Sequence, residues 1–332
     1  MSESIGARLT PLFLRIHKLG LRAGFQVTPN RYDAPLADIN KLQKTKETWA
    51  KKSNLPGVSF DLDEQVRNLR RICLPYKEEY AANETYLKAI SKYGPEFEYI
   101  DAQALHSMIR FFKPKKIIEI GSGISTYCSL AALEINADET DSKFELICVE
   151  PYPSKGLESL ESIELIAQDV QVIPVEVLTD LRENDVLFID SSHTVKPGGD
   201  VNYLILEVLP RLNKGVIVHF HDIYLPYDYQ RSVLQAFSQW NETSLLRAFL
   251  VGNSGVTILF CLSQLHYDKK EDLKGVFPNY NPQPDVSGLG PNVPVSVSAK
   301  SAMSDYNTCH HFPSSIYIQI QKDNLRLNDT DQ

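Results

Sequence analysis

The sequence is poor in cysteine, with five in 332 residues, and it has no C-x-x-C pair. That excludes the standard zinc and dithiol redox motifs and predicts a reducing, cytoplasmic setting. Cys128, Cys148 and Cys261 lie in or beside apolar runs and are expected as buried free thiols. No apolar run approaches the roughly 18 residues of a membrane-spanning helix, so no transmembrane segment is expected. The N-terminal stretch mixes Arg8, Arg15, Lys18 and Arg22 with Leu12, Phe13, Ile16 and Leu19. It lacks the long apolar centre and small-residue cleavage site of a targeting peptide. Sixteen glycines and 19 prolines are too few for a collagen-like or low-complexity chain, and no internal repeat is visible. Basic residues number 34 against 42 acidic ones, a net charge of −8. A dedicated nucleic-acid binder needs a basic face, so nucleic acid is not an expected partner; no N/D-P-P-Y motif occurs either. What is present is ordinary for a soluble globular protein: 43% hydrophobic and 23% charged residues, enough for one large or two modest domains.

Residues 1–95 read as a helical N-terminal region, a cap or a dimerisation element. Thr10 and Pro11 predict a helix start and Gly20 its end. Its apolar face would dock on its own domain or a second subunit, with a membrane surface as the alternative. Residues 24–60 are irregular, and helical spacing resumes over 61–92 until Gly94-Pro95. From 96 to 332 a second domain is expected, opening on a helix over 101–112. Strands are predicted at 116–120, 145–149, 163–167, 185–189, 215–220 and 256–262. Helices are predicted at 125–136, 155–161, 176–182, 200–212 and 230–250. Strands and helices alternating in this way predict a parallel sheet covered on both faces. The proline-rich segment 266–313 reads as a lid-like loop inserted before a last strand over 315–321.

The strongest local signal is IIEIGSGIS, Ile117 to Ser125. A buried strand meets Gly121-Ser122-Gly123 and then a helix, whose N-terminal N–H groups can face a ligand. Glu150 ends the next strand, where an acid can accept both hydroxyls of a ribose. A nicotinamide dinucleotide and S-adenosylmethionine both fit a G-x-G loop. The dinucleotide fingerprint wants a third glycine where this chain has Thr126. Glu119, two residues before Gly121, suits a ligand amino group better than a pyrophosphate. Both details favour S-adenosylmethionine.

With Glu119, the glycine loop and Glu150 in place, the chain resembles the class I S-adenosylmethionine-dependent methyltransferases. The resemblance extends through CVEPYP (148–153), IAQDVQ (166–171), VLFIDSSH (186–193) and GVIVHFHDIY (215–224). It implies an α/β fold, a doubly wound, seven-stranded, Rossmann-like sheet ending in an antiparallel pair formed by 256–262 and 315–321. It also implies cofactor contacts from Gly121, Ser122, Gly123, Ser125, Glu150, Asp169 and Asp190.

Strand four ends in Asp190-Ser191-Ser192-His193 and strand five in His219-Phe220-His221-Asp222. Ligands of such sheets bind outside the carboxyl ends of the strands, so both clusters are expected at one rim. Three readings stand side by side. In the first, the residues are hydrogen-bonded polar groups that close the strand ends. His193 is otherwise a general base for O-methylation, with an imidazole pKa suited to neutral pH. Asp190, His221 and Asp222 can in addition hold a divalent metal that acidifies an acceptor hydroxyl. The layout is similar to metal-dependent macrolide sugar O-methyltransferases and cephalosporin-hydroxylase-like proteins, which carry Glu-Asp after strand five. His221 in place of that Glu favours Mn, Fe or Zn over Mg. His219 is a spare ligand or a structural residue.

Tyr224, Tyr227 and Tyr229 either line an acceptor pocket or pack a turn around Pro226. Trp240 is expected in the core. Lys196 and Arg231 are candidates to neutralise an acidic acceptor, and Tyr32 and Tyr99 to cap the cofactor. Together these residues predict O-methylation of a small molecule, with the resemblance implying a natural-product or sugar-like acceptor, and the first helix makes a homodimer an expected partner state. A non-haem metal oxygenase using the same rim, or a non-catalytic subunit that binds the cofactor, are the alternatives.

Overall fold

Seven short apolar segments hydrogen-bond into one sheet: β1 (Lys116–Ile120), β2 (Glu145–Val149), β3 (Glu164–Ile166), β4 (Val186–Ile189), β5 (Ile217–Phe220), β6 (Val256–Cys261) and β7 (Ile316–Ile320). The chain is seen in a computed structural model that describes residues 2–82, 84–93, 97–236, 238–283, 287–290 and 310–322. The strand order is β3-β2-β1-β4-β5-β7-β6. β1 to β5 are parallel, and β7 inserts antiparallel between β5 and β6. The expected seven-stranded sheet and antiparallel last pair are both found.

Side chains alternate across a strand, so each strand feeds two cores. Ile117, Cys148, Phe188, Ile217 and Tyr317 pack on one face. Ile118, Ile147, Leu187, Val218 and Ile318 pack on the other. Both faces are dry, which is why these strands read as continuous apolar runs rather than alternating ones.

Helices fall into two compact units, Met1–Trp49 and Ala50–Gln332. The first contains α1 (Ser2–Arg22), α2 (Ile39–Lys44) and α3 (Lys46–Trp49). α1 runs through Pro11 rather than starting there. Gly20 is not its end: the chain folds back so that Phe25 N–H donates to the Gly20 carbonyl at 2.8 Å. A Cβ on Gly20 would lie 2.9 Å from the Phe25 carbonyl oxygen, so the glycine marks a close crossing of backbone.

The second unit adds α4 (Leu62–Cys73), α5 (Lys77–Ala82), α6 (Glu84–Tyr93), α7 (Tyr99–Phe112), α8 (Ile124–Thr140), α9 (Lys155–Glu158), α10 (Val175–Thr179), α11 (Asp200–Tyr203), α12 (Glu242–Leu250), α13 (Leu262–Asp268) and α14 (Lys270–Val276). Leu69 and Ile72 of α4 and Leu105 and Ile109 of α7 join the core that includes Ile117 of β1. The two compact units meet in sequence at residue 49, and the apolar stripe of α4 is buried within the second unit, in the core that includes the sheet. Gly94 and Pro95 lie outside the described residues.

Two predicted stretches differ. Residues 230–241 do not form the start of a long helix; only 242–250 are helical. The Gln230 side chain accepts from Trp240 N–H at 2.7 Å and donates to the Ser238 carbonyl at 3.1 Å, replacing helical bonds with a compact turn. The start of the expected 266–313 loop is helical, in α13 and α14. Its centre, 291–309, lies outside the described residues.

Candidate active site

Backbone bonds carry the parallel ladders one step past the strands. Gly121 N–H donates to the Val149 carbonyl, Asp190 N–H to Ile120 and His221 N–H to Ile189, at 2.9, 2.9 and 3.1 Å. The loops after β1, β4 and β5 are thereby aligned at the carboxyl rim. Gly121 has φ +81°, and a Cβ there would sit 1.8 Å from the Asp190 carbonyl oxygen. Only glycine permits that approach.

A cleft of about 350 Å³ opens beside the loop, lined among others by Gly121, Glu150, Asp169, Asp190 and Lys196. Of the residues expected to hold a cofactor, Gly121, Glu150, Asp169 and Asp190 are in its wall. Glu150 accepts from Ser122 N–H at 3.3 Å and Tyr152 N–H at 2.8 Å, so its carboxylate is oriented by the loop it faces. Thr126 accepts from Gly123 N–H at 3.0 Å, which explains a threonine where a dinucleotide fingerprint has glycine. Glu119 is fully buried, behind the loop rather than in the cleft wall. The Ser125 hydroxyl donates to it. Burial pushes its carboxyl up to about 8, against the bonds from Ser125 and Thr126.

A second cavity of about 290 Å³ lies beyond the β5 rim, lined by Glu98, Asp222, Tyr224, Arg231, Phe312 and Ser314 among others. Tyr224 is the tyrosine of its group that reaches it. Tyr227 and Tyr229 are buried and pack on each other, with ring centroids 5.6 Å apart. Arg231 lies 4.0 Å above the Phe312 ring. Lys196 lines the first cleft instead. Tyr99 is a core residue against Tyr86, not a cofactor cap, and Tyr32 in the first unit is 97% exposed.

Between the cavities the titratable side chains converge. His193 Nε2 lies 3.3 Å from Asp190 Oδ1 and 3.6 Å from Asp222 Oδ2, while its Nδ1 is 2.8 Å from Glu242 Oε2. His221 Nδ1 is 3.4 Å from Asp190 and 3.5 Å from Asp222. One ligand atom each from Asp190, His193 and Asp222 fall within 4.8 Å of one another. His193 and Asp222 have φ of +55° and +56°. Left-handed backbone at two non-glycine residues stores strain and is concentrated at working sites.

Burial lowers the His193 pKa, but hydrogen bonds to Asp190 and Glu242 and the Asp222 charge outweigh it and raise the imidazole to about 10. His221 is also held well above the ordinary range: burial opposes this, and the charges of Asp222 and Asp190 prevail. His219, two residues earlier on β5, moves the other way because burial and the His221 charge disfavour its cation. It is sandwiched between Phe188 and Tyr317, each 4.1 Å away centre to centre, and is a core residue rather than a spare ligand.

Several participants were not singled out from sequence. Asp101 of α7, fully buried, accepts from Ser315 N–H at 2.8 Å and lies 4.0 Å from His221 Nε2. Glu98, at the start of α7, is pushed up to about 8 by burial and by the Asp101 charge. Glu242 reaches His193 from 49 residues away in sequence. None carries a local motif. Trp240 is also placed differently, its ring 4.5 Å from that of His193.

A family described as "Methyltransferase domain" matches residues 118–223, from the strand under the glycine loop to the acid after β5. The chain belongs to the class I S-adenosylmethionine-dependent methyltransferase family. An uncharacterised protein of Archaeoglobus fulgidus is 30% identical over 167 residues, 47% of this chain and 74% of that protein. Among solved structures, the O-methyltransferase TomG of Streptomyces achromogenes, involved in tomaymycin synthesis, is 14% identical, with a TM-score of 0.37, over 80% of this chain and 92% of that one. CmcI with Mg and S-adenosylmethionine is 16% identical, with a TM-score of 0.27, over 48% of this chain and 63% of that one. Both superpose loosely. Among the described residues no helix is long and apolar enough to cross a membrane.

Proposed function

We propose that this methyltransferase alkylates a hydroxyl of a small molecule, with His193 as general base. The observation that carries this is that His193 Nε2 faces two carboxylates, each of which lines one of the two cavities. Asp190 lines the cleft at the glycine loop, Asp222 lines the second cavity, and His193 Nε2 is within 3.6 Å of both carboxylates.

The cleft suits S-adenosylmethionine. Gly121 lets the loop close against the end of β4, a Cβ on Gly123 would meet nothing within 4 Å, and Glu150 stands ready for ribose hydroxyls. When bound, that cofactor supplies the methyl group on a sulfonium. The protein's share is alignment: Asp190 borders the cofactor side, Asp222 the acceptor side, and His193 Nε2 takes the hydroxyl proton. In the ligand-free site that nitrogen holds a proton of its own, so ligand binding must first offset the negative charge of Asp190 and Asp222.

The donor set also suits a divalent ion. Asp190, His193 and Asp222 would hold it, beside His221, the ligand expected from sequence; an ion on His193 Nε2 would replace that nitrogen as the group acting on the hydroxyl. One imidazole and two carboxylates fit Mn or Fe better than Mg. Such an ion lowers the pKa of a bound hydroxyl.

The test is calorimetric titration with S-adenosylmethionine and, separately, NADH, on protein of assayed metal content. Micromolar binding of the first alone, lost in Glu150→Ala, is expected, followed by methyl transfer in a screen of hydroxyl acceptors. Absence of S-adenosylmethionine binding, or oxygen consumption without methyl transfer, would overturn the reading.

A further inference from the structure

His193 sits in left-handed backbone, and one short segment holds it there. Asn241 and Glu242 N–H both donate to the His193 carbonyl, at 3.0 and 3.2 Å. Asn241 Oδ1 accepts from Val195 N–H at 2.6 Å. These bonds fix the loop but do not address the imidazole. Two side chains do: Trp240 lies against the ring at 4.5 Å, and Glu242 Oε2 accepts from Nδ1 at 2.8 Å. Glu242 is 1% exposed, and its other oxygen, Oε1, has no partner among the described residues. A buried carboxylate is costly unless paired, so a carboxylate whose bonding is spent on one imidazole nitrogen calls for a role there.

We propose that Glu242 is a positioning residue that binds the Nδ1 proton of His193 and so points Nε2 at Asp190 and Asp222. Trp240 sets the plane of the ring. The same segment is anchored to the wall of the second cavity, since Tyr224 N–H donates to Thr243 Oγ1 at 3.2 Å. This inference rests on His193 acting as the base, but its central claim concerns the imidazole and is tested without turnover.

The experiment is proton–nitrogen correlation NMR on the full chain labelled with ¹⁵N-histidine, with His193 assigned by its loss in His193→Gln. In the wild type, His193 should show a slowly exchanging, low-field Nδ1 proton. In Glu242→Gln, a neutral amide is a weaker acceptor, so that resonance should move upfield or exchange away. Trp240→Phe keeps an aromatic face and should preserve it. Should Glu242→Gln fail to fold, Glu242→Asp, whose carboxylate is one methylene short of the ring, should give the same loss. S-adenosylmethionine affinity should stay within about threefold in all variants, since Glu242 is outside that cleft. With the hydroxyl acceptor that the wild type turns over, Glu242→Gln should lower kcat at least tenfold at unchanged KM. An unaltered Nδ1 resonance in the Glu242 variants, or an unaltered kcat, overturns the proposal. Failure of the wild type to bind S-adenosylmethionine with the resonance behaving as expected would instead remove the proposed function and leave the pairing standing.

Discussion

The two halves of the rim are built on different principles. The glycine-loop half is made of backbone: a turn that only glycine allows, aligned strand ends, and one carboxylate, Glu150, held by two N–H groups. Its parts come from two consecutive strand–loop units. The β4–β5 half is made of side chains that are buried, charged and mutually dependent. Asp190, His193, His221 and Asp222 are joined there by Asp101, Glu98 and Glu242 from α7, its entrance and α12. The first half can be altered at one residue with a local effect. The second is a coupled set, in which removing one charge leaves another buried and unpaired.

Substitutions can break that contrast. The largest effect is expected at the one point where the halves touch. Gly121→Ala forces a Cβ into the Asp190 carbonyl and should destabilise the protein by on the order of 4 kcal/mol, seen as a lowered thermal midpoint. A midpoint near wild type would show the contact is not rigid. Next comes His193→Gln, expected to slow methyl transfer about a hundredfold to ten-thousandfold while S-adenosylmethionine affinity holds. Equal loss of binding would mean the halves are not separable. Glu150→Ala should do the reverse. Two charge-assisted bonds to ribose are at stake, so affinity should fall about 10- to 100-fold by calorimetry. The smallest effect sharpens the electrostatics. His193 is raised to about 10 in the folded protein, above its ordinary 6.5. Its contribution to stability is therefore fully present below the unfolded value and is lost as pH rises through the folded one. Chelator-treated wild type should lose thermal stability between those two pH values, and His193→Gln should lose less. Parallel slopes would assign the pH dependence elsewhere.

Much of this was readable along the chain. The strands β1 to β7 fall within a residue or two of the apolar runs, because a strand buried on both faces needs only a short continuous run to declare itself. The glycine loop and Glu150 announce themselves by spacing. Misreadings occurred where tertiary contacts override local pattern. Pro11 sits inside α1. Gly20 marks a crossing rather than an end. Residues 230–241 have helix-forming composition, yet Gln230 takes their backbone bonds. His219 and His221 look equivalent, two residues apart on one strand, and titrate in opposite directions. One is stacked between aromatic rings; the other faces two carboxylates.

The sequence by itself determined the order of strands and helices, the two dry faces of the sheet and the glycine loop after β1, because these depend on periodicity and on backbone freedom, which are local. Only the tertiary structure decided that His193 and His221 both face Asp190 and Asp222, that Glu242 and Trp240 contact the His193 ring, and that Asp101 and Glu98 join the charged cluster. Those choices depend on which distant side chains share a desolvated volume, where a single paired or unpaired charge outweighs any propensity along the chain.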